Sequence, residues 1–239
     1  MNTESQRLYN KLAKDYRAYS EARRDYLLAI NNIVRKFFFA KSKVIDFGAG
    51  DGVRIKTIIS ELPIKACLVE NSNSMLRHIA KNFSDATVLP MDFSEKNFPV
   101  DSENDVAVCL WNVLGHLGSR EKVLQGLINI KRSLRTGGIA IIDVNNRHNI
   151  NQYGFYAVRN ILKDVFGYKF SNGDIKFSMH TKNQIIPANV HLFTNKEMIT
   201  LFKEAGFVVN KRLYIDYSNG NRMLSSLFGQ LCYVLTVKE

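Results

Sequence analysis

Residues Val44 to Arg54 read VIDFGAGDGVR, and no other stretch constrains the fold of this chain as much. A short apolar run ends in Asp46, glycines stand at positions 48, 50 and 52, and helix-like sequence begins at Val53. Glycine adopts positive φ at little cost and lets a ligand approach the backbone closely. A strand that turns into a helix through such a loop belongs to an open α/β sheet, where ligands bind at the carboxyl ends of the strands. No Gly-Lys-Ser/Thr follows the glycines in GDGVRIK, so the loop is not a P-loop. A dinucleotide fingerprint would need glycine at position 53, which is Val53. Asp46 and Asp51 would repel a pyrophosphate and instead suit a ligand with a positive end.

The flanking sequence carries the same rhythm. Strands are predicted at KVIDFG, IKACLVE, ATVLPMDF, DVAVCLWN and IAIIDVNN. They alternate with helices at GVRIKTIISEL, SNSMLRHIAKNF and residues 118–135, the last terminated by Gly137 and Gly138. The strands are continuously apolar, the mark of a parallel sheet covered on both faces. Leu8, Leu12, Tyr16, Tyr19, Leu27, Ile30, Ile33 and Val34 recur at helical spacing over residues 5–36, predicting a helical cap over 1–42. Residues 145–189 mix Asn, Tyr, Phe and Lys without a clear period and read as an inserted, substrate-facing segment. A helix with Thr194 as N-cap and two strands, VVNKRLYIDY and LCYVLTVK, complete a single domain over 1–239.

VIDFGAGDG resembles motif I, acidic-x-G-x-G-x-G, of the class I S-adenosylmethionine-dependent methyltransferases, and further stretches follow in that family's order. LRTGGIAIIDV resembles its helix–GG–strand stretch, and HLFTNKEMITLFKEAGF is similar to the late helix of its small-molecule members. The resemblance implies a Rossmann-like, doubly wound sheet of seven strands, mostly parallel with an antiparallel last strand. It also implies S-adenosyl-L-methionine as cofactor, cradled by Asp46, Gly48, Ala49 and Gly50. Glu70, at the end of the second strand, would accept the ribose hydroxyls, with Asn71 beside it and Met75 packing near the adenine. Asp92 would accept the adenine amino hydrogens while Phe93 packs the ring. Trp111 and Asn112, in LWNVLGHL, would border the methionine part, and Tyr16 and Arg24 its carboxylate. Of five histidines, His116 is the best placed to face the methyl, but a packed structural role competes and no catalytic residue is assigned.

Charge bears on the acceptor. The formal net charge is +11, and ten of those charges lie in two segments, residues 1–43 and 145–189. Such placement favours an anionic partner, and the expected activity is methyl transfer to N or O of a small anionic metabolite. A transfer-RNA or other RNA substrate is the alternative, although WNVLG lacks the Asn/Asp-Pro-Pro-aromatic stretch of exocyclic-amine enzymes and Cys109 lies within a strand. A non-enzymatic cofactor-binding protein is a third reading. No apolar run approaches the roughly 18 residues of a membrane span, so no membrane partner is expected. Cys67, Cys109 and Cys232 sit in apolar runs without a CxxC pair, which points to buried thiols, no metal and a cytoplasmic location.

Overall fold

The structure, a computed structural model, describes residues 3–99, 101–181 and 184–237. The predicted helical cap folds as three helices: α1 (Glu4–Leu12), α2 (Tyr16–Glu21) and α3 (Arg24–Arg35). The breaks follow from the surfaces that each helix covers. α1 starts in a capping box between Thr3 and Gln6 and buries Leu8 and Leu12 against Met179, Ile186 and Ala188. α3 buries Tyr26, Ile30 and Val34 against the sheet. One straight helix could not reach both.

The sheet is built in the expected order: β1 (Lys43–Phe47), α4 (Val53–Ile59), β2 (Lys65–Val69), α5 (Asn73–Asn82), β3 (Thr87–Leu89), β4 (Asn104–Cys109), α6 (Arg120–Arg132) and β5 (Leu134–Val144). Then follow α7 (Ile150–Tyr153), α8 (Phe155–Gly167), β6 (Asp174–His180), β7 (Ile185–His191), α9 (Asn195–Ala205), β8 (Phe207–Ile215), β9 (Arg222–Met223) and β10 (Gln230–Val237). The main sheet runs β3-β2-β1-β4-β5-β10-β8-β9. Its first five members are parallel, and β10 enters antiparallel between β5 and β8. Among the described residues this sheet has eight strands where seven were expected, because two-residue β9 pairs onto Tyr214 and Ile215 at the far edge. A strand that short leaves no period to read.

Side-chain alternation along β1 explains the two apolar layers. Val44 packs into the cluster with α3 and α4, whereas Ile45 and Phe47 join the cluster with α6 and α9. Both faces are covered, as the continuous apolar strands require.

The aperiodic segment 145–189 is ordered by polar contacts. Its core is Arg147, with no exposed surface, whose Nε meets Asp164 Oδ2 at 2.8 Å and whose Nη1 meets Glu197 Oε2 at 2.6 Å. His148 also binds Asp164, at 2.7 Å. Beyond α8, β6 and β7 pair, among the described residues, only with each other, under α1. Arg147 is therefore a buried structural ion pair and not an acceptor-facing cation.

Candidate functional site

Three left-handed glycines shape the β1–α4 loop, with φ of 76° at Gly48, 60° at Gly50 and 75° at Gly52. Gly48 and Ala49 both donate to the carbonyl of Val69, at 2.8 and 3.1 Å, which draws the loop over the end of β2. Glu70 then fastens it. Its Oε2 accepts from Gly50 N at 2.8 Å, and its Oε1 accepts from Asn71 N and Ser72 N at 2.9 and 2.8 Å. Burial pushes the Glu70 carboxyl up to about 7, against the lowering effect of those backbone donors. Burial also pushes Asp46 up to about 7, opposed by the Arg54 guanidinium and aided by the charge of Glu70. Two buried carboxyls thus share one cleft with little cationic compensation.

Arg54 is the cation nearest to balancing them. Its Nε donates to Asn31 Oδ1 at 2.8 Å, while its Nη2 is buried without a partner among the described residues. Sequence reasoning missed this residue, although it is the first cation after the glycine loop.

The opposite wall is strained and aromatic. After β4, Trp111 and Asn112 take left-handed backbone, φ 64° and 59°, which bulky residues avoid. The turn is held from behind: Trp111 N donates to Asp143 Oδ1 at 2.8 Å, and Asn112 Oδ1 accepts from Asn145 N at 2.9 Å. Tyr26 secures the other Asp143 oxygen at 2.7 Å. The indole of Trp111 donates to Tyr217 at 3.1 Å and lies 5.9 and 5.7 Å from the rings of Tyr16 and Tyr19. Tyr9 packs edge-on against His116 at 5.5 Å. Burial lowers His116 to about 4, so its ring is neutral at physiological pH and is a weak base.

Together these walls line one cleft at the carboxyl ends of the central strands, where open α/β sheets bind ligands. Tyr16, Asp46, Gly48, Ala49 and Gly50 line it, as do Glu70, Asn71, Phe93, Trp111 and His116. Four of the expected residues stand elsewhere. Met75 is fully buried in α5, and Asn112 lies behind the wall that it braces. Asp92 is turned onto Ser94, accepting from its N and Oγ at 2.9 and 2.7 Å, and borders a neighbouring cleft that shares Asn71 and His116. Arg24 is exposed and pairs with Glu21 at 3.7 Å on the outer surface. It is corrected from a site residue to a surface one, since a helix turn that begins at Arg24 points it away from the cleft. Besides Arg54, the cleft uses Tyr9, Leu110 and Val113, whose apolar or aromatic character gave no signal distinct from core packing.

No family model matches the sequence, and no curated protein matches it. Solved structures do match in shape. An S-adenosylmethionine-dependent methyltransferase from Clostridium acetobutylicum superposes with a TM-score of 0.63 at 14% identity, over 97% of this chain and 99% of that one. A second, from Methanosarcina mazei, gives 0.64 at 16% identity, over 86% and 97%. A TehB-like S-adenosylmethionine-dependent methyltransferase from Corynebacterium glutamicum gives 0.62 at 16% identity, over 96% and 98%. This chain has the fold of the S-adenosylmethionine-dependent methyltransferases, Rossmann-like with an antiparallel strand inserted near the sheet edge. The likeness extends over nearly the whole chain.

Proposed function

We propose that the protein is an S-adenosylmethionine-dependent methyltransferase acting on N or O of a small acceptor. The observation that carries this reading is the buried carboxyl pair, Asp46 and Glu70, on either side of a glycine loop and facing an aromatic wall. Buried carboxylates held near neutrality are stabilised by an incoming cation and penalise an anion. That charge pattern fits a ligand with an ammonium and a sulfonium, and opposes a pyrophosphate. The unpartnered Nη2 of Arg54 supplies a complementary donor for a carboxylate.

When bound, the cofactor supplies a methyl on a good leaving centre, so the chemistry needs alignment more than acid–base assistance. The residues of this chain provide that alignment. Glu70 and Asn71 stand where hydroxyls would be held, and Phe93 offers a ring face. The rings of Tyr16 and Trp111, with Tyr19 packed behind Trp111, exclude water and stabilise positive charge beside them. His116, neutral and half-buried, serves as wall and not as proton acceptor.

The small acceptor is favoured over RNA because the wall is aromatic: Trp111 packs against Tyr16 and Tyr19 and bonds Tyr217, over which Arg23 stacks at 4.6 Å. With Arg147 buried in ion pairs and Arg24 turned outward, Arg23 and the exposed Arg159 remain as cations for an anionic acceptor. Incubation with labelled cofactor, in parallel against a metabolite extract and against total RNA, tests the proposal. Label should pass to a small molecule; label passing only to RNA favours the second reading, and transfer to neither refutes both.

A further inference from the structure

Helix α8 is built the wrong way round for a surface helix of a water-soluble protein. Its inward positions are Ala157, Asn160 and Asp164, the first two buried and the third bound to Arg147, His148 and Asn172. Its outward positions are Phe155, Val158, Leu162, Val165 and Phe166, spaced so that they form one continuous stripe. Their exposures are 83%, 37%, 52%, 72% and 87%. Scattered exposed apolar residues need no explanation, but a stripe of five along one helix does. The polar inward face fixes this orientation, because rotating the helix would tear Asp164 from its buried partner.

Cations flank the stripe. Arg159 and Lys163, one turn apart, lie exposed along its edge, and Lys169 follows just beyond the helix. None of the three has an ion-pair partner among the described residues. The helix has 13 residues, about 20 Å of length, too short to cross a bilayer. A second apolar prong stands nearby: Leu224 is fully exposed and Phe228 partly so, on a loop held to α7 by the bond from Asn151 to the Phe228 carbonyl.

We propose that α8 docks the protein onto an anionic phospholipid surface, lying in the interface with its apolar stripe down and its cations at the headgroups. Aliphatic and aromatic side chains flanked by Lys and Arg are what an in-plane membrane helix requires. A second copy of the chain is the poorer occupant: an antiparallel pairing of two stripes would bring Arg159 and Lys163 of both copies together, and the acid of this helix, Asp164, is turned inward and offers neither arrangement a counter-charge. An RNA would meet the cations but leave the stripe exposed. The inference stands independently of the reaction catalysed.

The test is cosedimentation of the full chain with phosphatidylcholine vesicles, with and without phosphatidylglycerol. The protein should sediment with the anionic vesicles and stay in solution with neutral ones. R159Q/K163Q should weaken binding by about 30-fold, given the usual gain per basic residue at such a surface. L162D/F166D should abolish it, with an unchanged circular dichroism spectrum and melting temperature. F166W gives a second readout, since its emission should shift to the blue on adding anionic vesicles. Failure to sediment, equal binding by L162D/F166D, or a dimer in lipid-free solution that this variant dissolves would overturn the proposal. So would tighter binding to RNA than to the vesicles.

Discussion

Cofactor binding should release protons, and the structure sets how many. Asp46 and Glu70 are both held up to about 7 by burial in the cleft. At pH 6 a group with that pKa is about nine-tenths protonated, and the two titrate as a coupled pair. A cationic ligand binds the ionised pair, so at pH 6 between about one and two protons leave on binding, and at pH 8 almost none. Observed affinity should therefore climb about tenfold or more per pH unit below 7 and level off above it. Calorimetry in two buffers of different ionisation enthalpy reads the released protons directly. Stability runs the opposite way. The unfolded carboxyls titrate near 4, so between about pH 4 and 7 the folded protein holds more protons than the unfolded chain. The empty protein accordingly loses up to about 1.4 kcal/mol per group for each pH unit across that window. Asp46→Asn removes one member: it should raise the melting temperature of the empty protein at pH 8, weaken cofactor binding there, and halve the protons released at pH 6. An affinity that is flat or falling between pH 6 and 7, or a binding heat independent of buffer, would refute the reasoning.

Other substitutions separate the roles of neighbouring residues. Glu70→Ala should weaken cofactor binding by about 1–3 kcal/mol by calorimetry, and should also loosen the loop, because Gly50, Asn71 and Ser72 lose their common acceptor. Gly48→Ala should destabilise the fold first and binding second: φ is 76° and a Cβ would stand 2.5 Å from Val113 Cγ1, so adding Val113→Ala should recover part of the lost melting temperature. Arg147→Leu leaves Asp164 and Glu197 buried without their cation, and should cost about 3–5 kcal/mol in denaturant unfolding. By contrast, Arg23→Gln should leave stability nearly unchanged and raise the acceptor KM more than that of the cofactor.

The parts of the fold that were legible in sequence are those where one local rule acts alone. The glycine loop, the continuous strands β1, β2, β4 and β5, and the Thr194 capping box each declare themselves over a few residues. The illegible parts depend on distant partners. The period of α8 is present in Phe155, Val158, Leu162, Val165 and Phe166; what the sequence hides is its direction, because its polar face answers to Arg147, which lies in another element. The left-handed turn at Trp111 and Asn112 is imposed by Asp143 and Asn145, more than thirty residues away. In the site, the acidic ends of β1 and β2 followed from the resemblance, whereas Arg54 became visible only through its unpartnered Nη2. Arg24 carried the expected charge but not the expected direction, since composition locates a cation along the chain and says nothing of which way it points.

The central claim is that a cleft with two buried carboxyls takes S-adenosylmethionine. Titration calorimetry of the unmodified protein at pH 8 tests it most directly, with S-adenosylmethionine, its demethylated product and NAD as separate ligands. The account predicts micromolar binding of the first two and none of NAD; absence of binding by either sulfur compound, or tight binding of NAD, would contradict it.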